Sequence, residues 1–276
     1  GVPSVLTDGK TPFLVKPPFP GAPSTGRRLA FAQWVTRPDH PLTARVAVNR
    51  LWKQHFGTGL VHSLADFGKT GSPPTHPELL DWLAREFVDR GWSFKTMHRL
   101  MMTSTTYRQR SAITSSHDQL DPDNALYSRM PMMRLDAESL YDSLLVAAGK
   151  LDPRPFGPAD TVTARPDGLV TPVGTRRLIY VAQRRKQMPT HLENFDFPAM
   201  NPNCVERRDS TVAPQALQMM NNALVQQLAE DFARRVKSEV GDDPSRQVER
   251  MYLIALSRRP SEEERRIGIE TLARFA

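Results

Sequence analysis

Thr75-His-Pro-Glu-Leu-Leu-Asp-Trp-Leu-Ala-Arg-Glu-Phe87 is the stretch that decides the fold class. Leu79, Leu80, Trp82, Leu83 and Phe87 recur at helical spacing and make one apolar face. Pro77 falls in the first turn, where its missing N–H costs nothing, and Gly91 is a natural stop. Thr75 and Glu78 stand three residues apart, the spacing of a capping box in which each side chain satisfies an orphan backbone donor. The stretch reads as an amphipathic helix with both ends marked.

The same grammar repeats outward. Upstream, Ser24 or Thr25 caps an expected helix running to Thr36, and a second runs from Leu42 to Phe56 with Gly57 as its stop. Downstream, Ser93 opens a helix to about Thr105, and Asp136 caps one over Ala137–Ala148 that Gly149 closes. Three more follow. Thr211 caps the first, from Ala213 to Val240 with a bend at Asn221-Asn222. The second covers Pro244–Ser257, and the third opens on a capping box from Ser261 to Glu264. Arg176–Arg184 is the best strand candidate, rich in β-branched and aromatic residues, with a helix as the alternative. Prolines number 24 in 276, well above the usual ~5%, and they gather between the helices, in residues 1–24, 150–175 and 186–213. The fold class is therefore mainly α: a helical bundle with long Pro/Gly-rich loops and at most a short strand element. Residues 1–24 read as a proline-rich strap or linker, 25–110 as a basic helical subdomain, and 111–276 as a helical subdomain with long loops, packed with the first as one unit.

Composition narrows the function. Hydrophobic residues make up 39% of the chain, enough for a core, while the longest clean apolar run, near Leu144–Ala148, falls far short of the ~20 residues of a membrane span. A single cysteine, Cys204, excludes an internal disulfide framework, a cysteine-based zinc site and c-type haem attachment; it reads as a small residue packed in a loop, with Arg207 and Arg208 as neighbours. The net charge is +7, unevenly placed: residues 1–110 hold 15 Lys+Arg against 7 Asp+Glu, a net +8, whereas 111–276 hold 22 against 23, a net −1. A basic half points to an anionic partner, such as an acidic polysaccharide or an acidic domain of the same protein. Nucleic acid is disfavoured, because the cations are interleaved with acids and no helix-turn-helix, zinc-finger, RRM or KH signature is present.

Candidate site residues fall into two groups. Arg45 and Asn49, one turn apart, with Arg50 beside them, and Arg134, Arg176 and Arg177 are anion-binding candidates, since arginine presents a planar fork to carboxylates and sulfates. His76 and Glu78, Asp136 and Glu138, and His191 with Asp196 are acid/base or metal candidates should distant segments converge. For Asp136 and Glu138 the favoured reading is as N-cap and first-turn acid of their helix. Asp66-Phe-Gly68 matches the kinase magnesium tripeptide, but no glycine-rich loop, Val-Ala-Ile-Lys element or His-Arg-Asp loop accompanies it.

Further motifs occur in a fixed order. Pro41-Leu-Thr-Ala-Arg-Val46, Asn49-Arg50, His55-Phe-Gly57, Gly59-Leu-Val61 and Asp66-Phe-Gly68 come first. Pro74-Thr-His-Pro-Glu-Leu-Leu-Asp81, Ser104-Thr-Thr-Tyr-Arg108, Asp121-Pro122, Arg134-Leu-Asp-Ala-Glu138 and Arg176-Arg-x-x-Tyr180 follow, then Pro214-Gln-Ala-Leu217 with Asn221 and Leu256-Ser-Arg-Arg-Pro260. As a set they resemble the planctomycete-type C-terminal domain of unknown function, family 1553 of that series, from about residue 25 onward. The resemblance implies an extracytoplasmic domain, periplasmic or secreted, at the end of a larger bacterial protein. Upstream parts of such proteins carry a signal peptide, a c-type cytochrome domain and a sister domain, so those upstream domains become expected partners. Any haem would belong to them, with no cofactor in this chain. His40 departs from the asparagine usual before Pro41. Gly1 and the absence of a signal peptide fit a fragment or processed chain. The family carries over no catalytic residues. The expected role is a non-catalytic binding or assembly domain; the alternative is a carbohydrate-active hydrolase or redox accessory with a site near His76, Asp136 and Glu138.

Overall fold

The computed structural model describes residues 13–198, 204, 206, 207 and 210–275. Residues 1–12 of the expected strap, Pro202 and Arg208 lie outside the described residues. Eleven α-helices and one two-stranded antiparallel sheet are present among them, so the fold is mainly α. The chain forms two compact units, Gly1–Met133 and Arg134–Ala276.

In the first unit, α1 (Arg27–Val35), α2 (Thr43–Phe56), α3 (Pro77–Asp89) and α4 (Phe94–Met102) are the four expected helices, joined by a short α5 (Ser115–Leu120). Phe87, Leu80 and Leu83 of α3 pack with Val48, Trp52 and Phe56 of α2 and with Met97 and Met101 of α4. Tyr127 closes this core edge-on against Trp52 and Phe56. Two expected caps are replaced. Gly26, at φ +76°, precedes α1 instead of Ser24 or Thr25. A Cβ there would sit 1.9 Å from the Lys16 carbonyl oxygen, so the strap can cross only a glycine. Thr75 does not box with Glu78, because its N–H and hydroxyl both donate to the Leu60 carbonyl; His76 takes the cap position without a side-chain bond.

In the second unit, α6 (Ala137–Ala148) is capped by Asp136, whose Oδ1 accepts the Ser139 N–H at 2.7 Å, as its sequence reads. Tyr141 and Leu145 of α6 meet Leu178, Leu192, Phe195 and Leu228 in a second core. The strand expected over 176–184 is not there. Strands β1 (Val162–Ala164) and β2 (Val170–Pro172) pair instead, with Thr163 opposite Thr171, while Leu178–Tyr180 is a 3-10 turn. The stretch makes only isolated bridges, among them Arg176 with Asp152 and Val181 with Asp160, and between these two the Leu178 N–H donates to Asp142 Oδ1, which pins the chain to α6. A five-residue α7 (Thr190–Asn194) interrupts the second long loop. The bend at Asn221-Asn222 is a full break between α8 (Ala213–Asn221) and α9 (Ala223–Val240), since Asn222 Oδ1 caps α9 by accepting the Leu224 N–H. α10 (Pro244–Leu256) packs on α9 and α11 (Glu262–Phe275). The Ser261–Glu264 capping box forms with both reciprocal bonds.

Candidate functional site

Polar side chains gather at the start of α6. Gln215 of α8 is the hub and is buried. Its Oε1 accepts from Arg134 at 2.7 Å and from the Val212 N–H at 3.1 Å; its Nε2 donates to the Asn194 carbonyl at 2.8 Å and faces Asp196 at 3.4 Å. The Arg134 guanidinium also lies over the Phe195 ring, 5.2 Å from its centre. Asp196 adopts φ +60°, a conformation that aspartate tolerates better than most side chains. Its carboxylate accepts both the N–H and the hydroxyl of Ser210. These bonds, with Arg134 adding its charge, hold the acid below the usual carboxylate range.

His191 is buried in the same cluster. Nε2 lies 2.8 Å from the Ala137 carbonyl, so it carries the proton, and Nδ1 faces Gln218 Nε2 at 3.3 Å as the acceptor. Burial lowers its pKa, and the carbonyl contact opposes that only in part, so the ring is neutral. Arg207 grips both oxygens of Glu138, at 2.7 and 2.8 Å, and lies over Phe197. The second unit thus brings Arg134, Asp136, Glu138, His191 and Asp196 to one place. Each carboxylate there has a donor of its own: a helix N-terminus for Asp136, an arginine for Glu138, a serine for Asp196. The arrangement braces α6, α7 and α8 against one another.

Arg176 turns inward, and Arg177 stays exposed. Arg176 donates to Asp160 and to the Phe156 and Pro158 carbonyls, clamping the loop that leads into β1, and it is buried. Arg177 holds Asp142, the acid that also accepts the Leu178 N–H. The Arg176 fork is filled within the chain, whereas Arg177 donates through Nε alone and keeps its outer nitrogens toward solvent.

The remaining candidates lie in the first unit. Asn49 is fully buried; its amide donates to the Val61 carbonyl and accepts the Val61 N–H, both at 2.9 Å, completing a loop that has no ladder of its own. A Cβ on Gly59 would sit within 2.9 Å of that amide, so glycine gives the loop its close approach. Arg45 binds Asp81 at 2.6 Å and the Pro41 carbonyl. Arg50 stays exposed, and so does Glu78. His76 lies 3.0 Å from the Thr75 hydroxyl, with its ring near Tyr127. His40 Nδ1 stands 3.2–3.3 Å from the Leu42 and Thr43 N–H groups, where an asparagine oxygen would cap α2. Asp66 makes a turn with Gly68 and Thr70, an ordinary use of the Asp-Phe-Gly tripeptide. Cys204 is exposed and not packed, with its thiol on the Glu206 carbonyl.

Sequence reasoning missed Gln215 as a hub and the contact between His55 and His98. Gln215 stood inside the quoted Pro214-Gln-Ala-Leu217 motif, and a polar residue on the inner face of an apolar helix was the available signal. The histidines are 43 residues apart, on different helices, and no spacing rule joins them.

Among the described residues no group of three or more His, Cys, Asp or Glu is placed to hold a metal ion, and no helix is long and apolar enough to cross a membrane. No curated protein and no solved structure matches the chain significantly. The motif order does have a counterpart: a family model described as PSD1, protein of unknown function (DUF1553), matches residues 27–272, most of the first unit and nearly all of the second. The chain belongs to the PSD1 family of proteins of unknown function.

Proposed function

We propose that the chain is a non-catalytic binding or assembly domain of a larger, extracytoplasmic bacterial protein of planctomycete type. It engages an anionic partner, an acidic polysaccharide or an acidic neighbouring domain, through its first unit. The observation that carries this reading is the state of the cations there. Arg27, Arg28, Arg50, Lys95 and Arg99 are exposed, and none pairs with a carboxylate among the described residues. Lys95 and Arg99 stand one turn apart on α4 and so share a face. Unpaired cations on one unit make a field that concentrates anions, and salt screens it over about 10 Å at 0.1 M. The carbohydrate-active alternative needs a free acid and a free base, and the carboxylates at the start of α6 are already engaged, which favours the binding role.

Affinity electrophoresis through gels containing polygalacturonate or a sulfated polysaccharide tests this. The expected result is retardation at low ionic strength that disappears with added salt and in the variant R27E/R28E/K95E/R99E. No retardation by either polymer would remove the polysaccharide version of the proposal.

A further inference from the structure

His55 Nε2, near the end of α2, and His98 Nδ1, in the middle of α4, lie 2.8 Å apart with their rings close to perpendicular. Both rings are half-buried, and the Tyr107 ring meets His55 edge-on at 5.6 Å. We propose that these two imidazoles share one proton and form an acid-labile fastening between α2 and α4.

The argument is one of donors and acceptors. A contact of 2.8 Å between two ring nitrogens is a hydrogen bond only if one carries a proton and the other a lone pair. A neutral pair meets this condition. A singly protonated pair meets it too, as a charge-assisted bond. A doubly protonated pair does not, because two N–H groups and two positive charges then face each other. The folded unit therefore takes up one proton at this contact where the unfolded chain takes up two.

The surroundings offer the second charge no relief. Lys53 and Arg50 on α2, Lys95 and Arg99 on α4, and Arg108 after α4 are cations. α3, which packs on α2, has Asp81 engaged by Arg45 and Glu86 by Arg90, and carries Glu78 and Asp89 at its two ends. Burial and the charge of His98 both press the His55 pKa below its ordinary 6.5. The sign follows: with the folded pKa depressed, stability is complete above 6.5 and is lost as pH falls below it. Losing α2–α4 contact would loosen the helix that carries Lys95 and Arg99.

All four tryptophans, Trp34, Trp52, Trp82 and Trp92, belong to the first unit, so their fluorescence reports its unfolding in the intact chain. Denaturant midpoints read this way between pH 8 and 5 test the proposal. His98→Asn places an amide where Nδ1 stands and His55→Gln places one where Nε2 stands, so each variant keeps a polar contact without the second titration. In the wild type the folding equilibrium constant should fall with acid by up to about tenfold per pH unit more than in either variant. His40 is unchanged across the series, so its own acid response cancels. Parallel pH profiles in wild type and variants would overturn the proposal. Nitrogen-15 imidazole spectra of the wild type give a check that needs no variant. Two coupled titrations, one displaced below the ordinary range, support the shared proton, and two independent titrations near 6.5 refute it.

Discussion

The two units differ in how far their charges are balanced, a net +8 over residues 1–110 against −1 over 111–276. In the second, many arginines are matched with a carboxylate, Arg176 with Asp160, Arg177 with Asp142, Arg207 with Glu138, Arg235 with Glu239 and Arg258 with Glu264, while Arg184, Arg185, Lys186, Arg246 and Arg274 stay exposed without one among the described residues. In the first, Arg37, Arg45 and Arg90 are paired, but Arg27, Arg28, Arg50, Lys95 and Arg99 face solvent without a carboxylate among the described residues, and few acids are present to offset them. Exposed ion pairs contribute little stability, about 0–1 kcal/mol each, so the contrast concerns the field outside the molecule more than the strength inside it. Matched charges cancel at short range, whereas unmatched ones repel each other and attract anions. What holds the first unit together must then be apolar burial and backbone clamps. That reading can be broken.

The largest expected effect is at Asn49. Asn49→Ala leaves both the N–H and the carbonyl of Val61 buried without a partner and opens a small cavity beneath Gly59. Each orphaned group costs on the order of 1–3 kcal/mol, so the first unit should lose about 3 kcal/mol, seen as a lower denaturant midpoint in tryptophan fluorescence. A loss below about 1 kcal/mol would mean that the Val61 loop is held by something else. The charge-reversal variant R27E/R28E/K95E/R99E should leave the same midpoint nearly unmoved.

How much of this was legible follows from range. Helix existence was legible because apolar period and stop residues lie within one turn of each other: the Ala137–Ala148 helix and the Ser261–Glu264 box appear as read. The strand was misplaced because Leu178 is held by Asp142, 36 residues away, and local propensity carries no trace of that bond. Thr75 failed as a cap for the same reason, drawn off by Leu60. At the start of α6, residue types pointed to Arg134, Asp136, Glu138, His191 and Asp196, which do converge. Their bracing role depends on Gln215, Ser210 and Arg207, whose partners are set by tertiary packing. Local rules fix where helices begin and end; whether a carboxylate is free or engaged is decided across the fold.

The middle-sized effect concerns acid in the second unit. His191 is held neutral by burial, its folded pKa below the ordinary 6.5. Protonation would place a charge against apolar Tyr141 and Phe195 and cost the acceptor at Nδ1. The second unit should therefore be fully stable above pH 6.5 and weaken as pH falls below it. His191→Gln should flatten that dependence while lowering stability at neutral pH. Far-UV circular dichroism of the transition that tryptophan does not report separates this from the first unit; an unchanged acid profile in the variant would place the proton uptake elsewhere.

The smallest effect tests the contrast from the other side. Arg266 and Glu270 pair at 2.9 Å one turn apart on α11, with both side chains 62% exposed. Arg266→Gln keeps the helix propensity nearly constant and removes only the pair. The expected cost is about 0.3 kcal/mol, shrinking further in salt. A loss several times larger would mean that the matched charges of the second unit are structural after all. The two units would then differ in what holds them and not only in the field they present. A loss of the expected size leaves the matched charges of the second unit as a means of lowering the field it presents rather than a source of its stability.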